Sequence, residues 1–177
     1  LEVLKGSSQV RYGPRTTGGV INYLSTTIPT SEKYYLKASF GTQGEMRNHL
    51  YFGNTIHTDK GNFGYVIENY DRRNEGFRSI NETADFRNGD ENTGLKNTEP
   101  MVKMSFEPNT EKYQRFEFKF GYTKRQVNET YLGLNQTLFD QDPFQRLSAS
   151  RFDKLDSEHF RTYLRHFYEM SDKTNIV

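Results

Sequence analysis

Apolar and polar residues alternate along most of this chain, with the two-residue period of strands instead of the three- and four-residue spacing of helices. The cleanest run is 115–122, where Phe116, Phe118, Phe120 and Tyr122 share one face and Arg115, Glu117, Lys119 and Gly121 the other. The same period sets Tyr34, Leu36, Ala38 and Phe40 against Tyr35, Lys37 and Ser39. Over 47–54 it sets Leu50 and Phe52 against Arg47, His49 and Tyr51, and over 63–72 Phe63, Tyr65 and Ile67 against Glu68, Tyr70 and Arg72. Over 101–107 it sets Val102, Met104 and Phe106 against Lys103 and Ser105; over 159–170 Phe160, Leu164 and Tyr168 oppose Arg161, Tyr163 and Arg165. Turn chemistry separates these strands at Thr42-Gln43-Gly44, across 55–62 around Asp59-Lys60-Gly61, at Pro108-Asn109-Thr110 and at 171–174. Two aperiodic polar stretches, 75–97 and 126–156, read as long loops, the second with short helical turns at 138–142 and 142–147. A further strand begins at Ile176.

Strands with one greasy and one wet face have several homes, and composition narrows them. The chain of 177 residues is polar, with 27% charged residues, yet 15% are aromatic, which is not the profile of a disordered chain. Net charge is +1, so no global field points to nucleic acid. Cysteine is absent, which excludes a disulfide framework and thiolate metal sites. No apolar run approaches the roughly 18 residues of a membrane helix, a test that barrel strands escape. The connections alternate between tight and long from the third strand onward, as the two rims of a transmembrane barrel do. The expected fold is therefore all-β, a fragment of a large antiparallel transmembrane β-barrel with about six strands and the start of a seventh.

The first 26 residues have a different texture. Glu2-Val3-Leu4-Lys5 reads as a short strand, Gly6-Ser7-Ser8 as entry to a helical turn, and Tyr12-Gly13-Pro14 as its stop. Gly18-Gly19 then precedes a second strand, Val20-Ile21-Asn22-Tyr23-Leu24. The run LEVLKG, SSQVRYGP, TTGGVINYLST resembles the C-terminal end of the plug domain of TonB-dependent outer-membrane receptors. It departs from that pattern at Lys5, where Arg is usual, at Ser7, where Pro is usual, and at Gln9, where Ser is usual. A weaker similarity, to an outer loop of ferric citrate receptor-like transporters, runs through Asn128-Glu129-Thr130-Tyr131-Leu132-Gly133-Leu134, Asp142-Pro143, Arg146, Ala149-Ser150 and Asp153.

The resemblance implies residues 1–26 as the end of a plug domain, 27–33 as a linker and 34–177 as the first barrel strands. It implies TonB-dependent uptake of a ferric chelate, ferric citrate or another ferric siderophore, across the bacterial outer membrane. The partners implied are the chelate, outer-membrane lipid, and TonB acting through an N-terminal segment absent here. No nucleic acid, cofactor, resident metal or catalytic role is expected. A receptor for cobalamin, a nickel chelate or a sugar is the alternative, followed by a barrel enzyme and a soluble β-sandwich binding module.

An anionic chelate needs guanidinium or ammonium donors. Arg11 and Arg15, flanking Tyr12, are the candidates at an apical plug loop, with solvated or plug-to-wall charges as the plain alternative. Arg125 is a further candidate, among Arg72, Arg73, Arg78 and Lys124 near the same ends of the strands. Glu2 and Lys5 read as part of an ion-pair lock between plug and wall, or as an ordinary strand-surface pair. His49, His57, His159 and His166 lack metal-ligand spacing, and no nucleophile elbow or phosphate-binding loop is present.

Overall fold

The alternation resolves into a hydrogen-bonded ladder. The computed structural model describes residues 1–5, 19–80, 93–171 and 174–176. Strands β1 (Glu2–Leu4) and β2 (Val20–Asn22) form a small antiparallel pair, Glu2 opposite Asn22 and Leu4 opposite Val20. Gly19 has φ +117, and a Cβ there would lie 2.9 Å from the Leu4 carbonyl oxygen, so only glycine admits this approach. The helical turn expected between these strands lies outside the described residues.

Strands β3 (Lys33–Phe40), β4 (Met46–Thr58) and β5 (Gly61–Asn74) follow, then a two-residue β6 (Ser79–Ile80). After them come β7 (Leu95–Pro108), β8 (Gln114–Val127), α1 (Gln136–Gln141), β9 (Gln145–Arg146), β10 (Leu155–Ser171) and β11 (Thr174–Ile176). Seven of these make one antiparallel sheet in the order β11-β10-β8-β7-β5-β4-β3. The protein is all-β in architecture, and every substantial contact between elements joins hydrogen-bonded neighbours, so no second layer packs on the sheet among the described residues.

The strands outrun their hydrophobic pattern. β7 begins at Leu95, six residues before the expected start at Met101, and pairs there with Asn74 of β5 and Val127 of β8. Residues 96–99 are polar on both faces, so the two-residue signal fades while the ladder continues. The expected loop 75–97 shortens accordingly, as does 126–156, because β8 runs to Val127 and β10 starts at Leu155. The turn expected over 55–62 contracts to Asp59-Lys60, closed by Gly61 at φ +140.

The long connection after β8 holds two local structures. α1 is capped by Asn135, whose side-chain oxygen accepts from the Leu138 amide at 2.9 Å. The second helical turn expected at 142–147 is not formed. Instead β9 pairs in parallel with β6, Ser79 opposite Gln145 and Ile80 opposite Arg146, because a long-range strand partner outcompetes a weak local helix. Arg146 is 4% exposed and donates to four oxygens: the Ser150 hydroxyl and the carbonyls of Asn128, Ser150 and Asp153. Burial pushes its guanidinium below its ordinary value, with Asp153 acting in the opposite sense.

The sheet has two unlike faces. One carries Leu36, Leu50, Phe52, Ile56, Phe63, Ile67, Met104, Phe106, Phe160 and Leu164, all of them open or half-open to solvent. Phe116, Phe118 and Phe120 on this face are 38%, 37% and 39% exposed, and what covering they have comes from neighbouring strands. Sideways ring contacts knit it: Tyr34 stacks on Phe52 at 5.4 Å, Phe52 meets Tyr65 edge-on at 5.3 Å, and Tyr122 leans on Phe160 at 4.9 Å. From Leu50 to Ile56 the apolar band spans about 20 Å along β4. Above it the same face turns polar along Asn48, Asp71, Thr98, Lys124 and Glu158, which stand side by side in register.

Candidate functional site

The opposite face is where chemistry concentrates. Across its middle lies the segment that follows β2, pinned by polar contacts from three strands. The Thr26 hydroxyl donates to Glu68 Oε1 at 2.6 Å, and Lys103 Nζ donates to the Thr26 carbonyl at 2.8 Å. The Thr55 hydroxyl donates to the Pro29 carbonyl at 2.7 Å. Two glycines make room beneath it. A Cβ on Gly53 would sit 2.9 Å from Pro29 Cδ, and one on Gly64 would sit 2.7 Å from Ile28 Cγ2. Val66, next to Gly53 across the ladder, is fully buried. The chain from 24 to 30 is thus a strap seated in a groove that the strands leave bare of side chains.

Around the strap runs a network of charges. Glu68 also contacts His49 Nε2 at 2.6 Å, so one carboxylate oxygen serves both the strap and β4. Arg115 lies between Glu107 and Glu117, 3.2 Å from each, and Glu117 also takes the Tyr163 hydroxyl. Arg161 reaches the Thr123 hydroxyl at 2.6 Å and approaches Glu99 at 3.9 Å. A cavity of about 200 Å³ opens between Tyr23-Leu24-Ser25 and the sheet residues Glu68, Tyr70, Glu99, Lys119 and Arg161.

Nearer the end of the sheet that carries the long connections, the register draws a line of polar side chains. Ser39, Arg47, Arg72, Asn97, Arg125 and Ser157 are successive neighbours across six strands. Glu45, in the turn just before β4, accepts from Arg47 Nε and from Arg72 Nε at 2.9 Å through Oε1, and from Asn74 Nδ2 at 3.0 Å through Oε2. These donors hold its carboxyl down to about 2, the Arg47 hydrogen bond first and then those of Arg72 and Asn74. The line can bind an anion: three guanidinium groups on one face, with one fixed carboxylate among them.

The sequence-derived candidates fall into three groups. Arg11, Tyr12 and Arg15 lie outside the described residues. Arg125 lies on the polar face in the arginine line, exposed, and has no hydrogen-bond or ion-pair partner among the described residues. Its sequence neighbours divide by parity: Arg72 shares its face, whereas Arg73 and Lys124 point to the apolar side, Lys124 pairing with Glu158 at 3.1 Å. Glu2 accepts from Asn22 Nδ2 at 2.9 Å, across the β1–β2 pair, and Lys5 follows the strand with its stem near Gly19. Arg47 and Glu45 were not singled out by sequence reasoning. Parity alone puts Arg47 on the polar face, but its place beside Arg72 depends on register, which no local signal carries.

Among the described residues no group of three or more His, Asp or Glu is arranged to hold a metal. His57 faces Asn62 at 2.7 Å, and His166 stacks on Phe116 at 4.2 Å between ring centroids. No family model, curated protein or solved structure matches the chain.

Proposed function

We propose that this chain is part of a TonB-dependent outer-membrane receptor that takes up a ferric chelate, ferric citrate or another ferric siderophore. On this reading the seven-stranded sheet is a stretch of transmembrane barrel wall, and residues 1–26 are the end of the plug that stoppers it. The observation that carries the reading is the pairing of two unlike faces on one unlayered sheet. An uncovered aromatic band of about 20 Å suits hydrocarbon, while in water it would be an aggregation surface. The other face is charged and is crossed by the segment that follows the plug-like run.

The work of such a protein is capture followed by gated passage, with no bond made or broken. The arginine line Arg47, Arg72 and Arg125 offers donors for an anionic chelate at the rim bearing the long loops, which this reading sets outside the cell. The strap keeps the plug's C-terminal end on the wall while TonB pulls elsewhere on the plug. The test has two arms. Full-length protein should stay in the membrane through carbonate extraction and partition into detergent. A deletion strain should lose growth on ferric citrate as sole iron source and regain it with the gene. Recovery in the aqueous fraction overturns the barrel reading; membrane insertion without any iron phenotype overturns the substrate.

A further inference from the structure

The three arginines of the polar line are not equivalent, and the difference lies in Glu45. Arg47 and Arg72 are directly opposite one another on β4 and β5, a placement in which like charges repel. Glu45 sits half-buried at the mouth of this pair, and both Nε atoms donate to the same carboxylate oxygen. Each guanidinium is engaged only through Nε. The terminal nitrogens of both, which form the fork that recognises carboxylates in a planar two-point contact, have no other partner among the described residues.

The backbone under Glu45 is fixed with equal care. The turn closes through the Gly41 amide to the Glu45 carbonyl at 2.9 Å and the Glu45 amide to the Thr42 carbonyl at 3.1 Å. Gln43 and Gly44 take positive φ in succession, and the Glu75 amide ties the Gln43 carbonyl to the end of β5 at 2.9 Å. Asn74 holds the second carboxylate oxygen. A short rigid turn thus delivers one carboxylate to one place and clamps it from both sides.

We infer that Glu45 is a positioning residue that aligns the Arg47 and Arg72 forks for a carboxylate-rich anionic ligand, with Arg125 as a third, looser contact two strands away. This deepens the chelate-uptake reading and rests on it: the substrate class becomes an anion with several carboxylates, in preference to a neutral hydroxamate chelate. Arg125 lies two strand spacings from Arg72, about 10 Å, so a ligand touching all three is broader than a single carboxylate. Glu45 itself does not touch the ligand; it sets where the forks point.

Positioning and charge predict opposite signs. If Glu45 acted only by its negative charge, Glu45→Gln would tighten an anionic ligand. If it aligns the forks, Glu45→Gln weakens the ligand, and Glu45→Asp, which keeps the charge but shortens the reach, weakens it too. The experiment uses the full-length receptor in detergent, with radioactive iron bound as ferric citrate or as neutral ferrichrome, and the heat-modified gel mobility of the barrel as a folding control. For both variants the dissociation constant for ferric citrate should rise about tenfold or more, chiefly through faster dissociation, while that for ferrichrome stays unchanged or undetectable as in wild type. Tighter ferric citrate binding by Glu45→Gln, or wild-type behaviour of Glu45→Asp, overturns the positioning role. Wild-type protein that takes ferrichrome but not ferric citrate overturns the carboxylate clamp while leaving iron uptake standing. Binding of neither overturns the carboxylate clamp as well, and leaves the uptake reading to the growth test.

Discussion

Lys103 Nζ lies 2.8 Å from the main-chain carbonyl of Thr26, a contact that joins residues 77 apart in the chain. The same Thr26 gives its hydroxyl to Glu68, two rungs along the polar face on the neighbouring strand. A single residue of the strap is therefore held by an ammonium and a carboxylate from different strands. Its main chain has become part of the sheet's own hydrogen bonding.

Replacing Lys103 by Met keeps the stem and removes the donor. The Thr26 carbonyl is left without that partner in a half-buried site, at a cost of about 1–3 kcal/mol to strap docking. Hydrogen exchange at residues 24–30 should rise while exchange within β7 and β8 stays as in wild type.

The chain has no cysteine, so an introduced thiol has no competitor. A label placed by a single cysteine on the strap is therefore unambiguous. A Cβ at Gly64 would stand 2.7 Å from both Ile28 Cγ2 and Ser105 Oγ, so Gly64→Ala should crowd the strap in its groove and raise hydrogen exchange at 24–30. Exchange at 24–30 unchanged from wild type would mean that the groove has room to spare.

Phe118 lies mid-band on the apolar face, opposite Met104 and Leu164. On the proposed reading, Phe118→Arg should cost about 2–4 kcal/mol of folding stability in a bilayer. The penalty should be far smaller for a charge placed at Thr98, in the polar row above. Urea titration of the protein refolded into vesicles measures both.

Glu45 gives a pH signature. Its carboxyl is held down to about 2 from an ordinary value of 4.5. A depressed carboxylate stabilises the fold fully above its unfolded value, and that contribution is lost as pH falls through the folded one. The 41–45 turn should therefore be insensitive to pH from 8 down to about 4.5 and loosen between there and about 2. Amide exchange of Glu45 and Glu75 reports it, and Glu45→Gln should abolish the dependence.

Arg146 supplies a last test. Arg146→Met strips four oxygens of their donor and should loosen 128–154 by about 1–3 kcal/mol. Proteolytic cleavage near Ser148–Ser150 should speed up, and the β6–β9 step should open with it.

What the sequence made legible was parity. At 115–122 the alternation is so strong that both faces of β8 could be read residue by residue, and the same held for Val102 against Lys103 and for Leu50 against His49. Parity fails where the environment changes along the strand. Lys96 and Thr98 belong to the same file as Val102 and Met104, yet they stand above the apolar band, so the file stops looking hydrophobic while its hydrogen bonds go on. Register was invisible for a different reason. That Arg47 faces Arg72, and that Asn97 separates Arg72 from Arg125, follows from how the hairpins close, and each closure rests on turn geometry such as Gly61 at φ +140. The 27–30 part of the strap reads only as a linker, because Ile28, Pro29 and Thr30 carry no sign of the groove that Gly53 and Gly64 leave for them.

The two-residue rhythm also decides which edits of the gene this protein can survive. Losing one codon between 115 and 118 would swap the destinations of every later side chain in β8, sending Lys119 toward the aromatic neighbours and Phe120 toward Lys103 and Tyr163. Losing two codons would merely shift the rungs. A library of short deletions should therefore show tolerance that flickers with odd and even length inside the strands and vanishes as a pattern across 128–154.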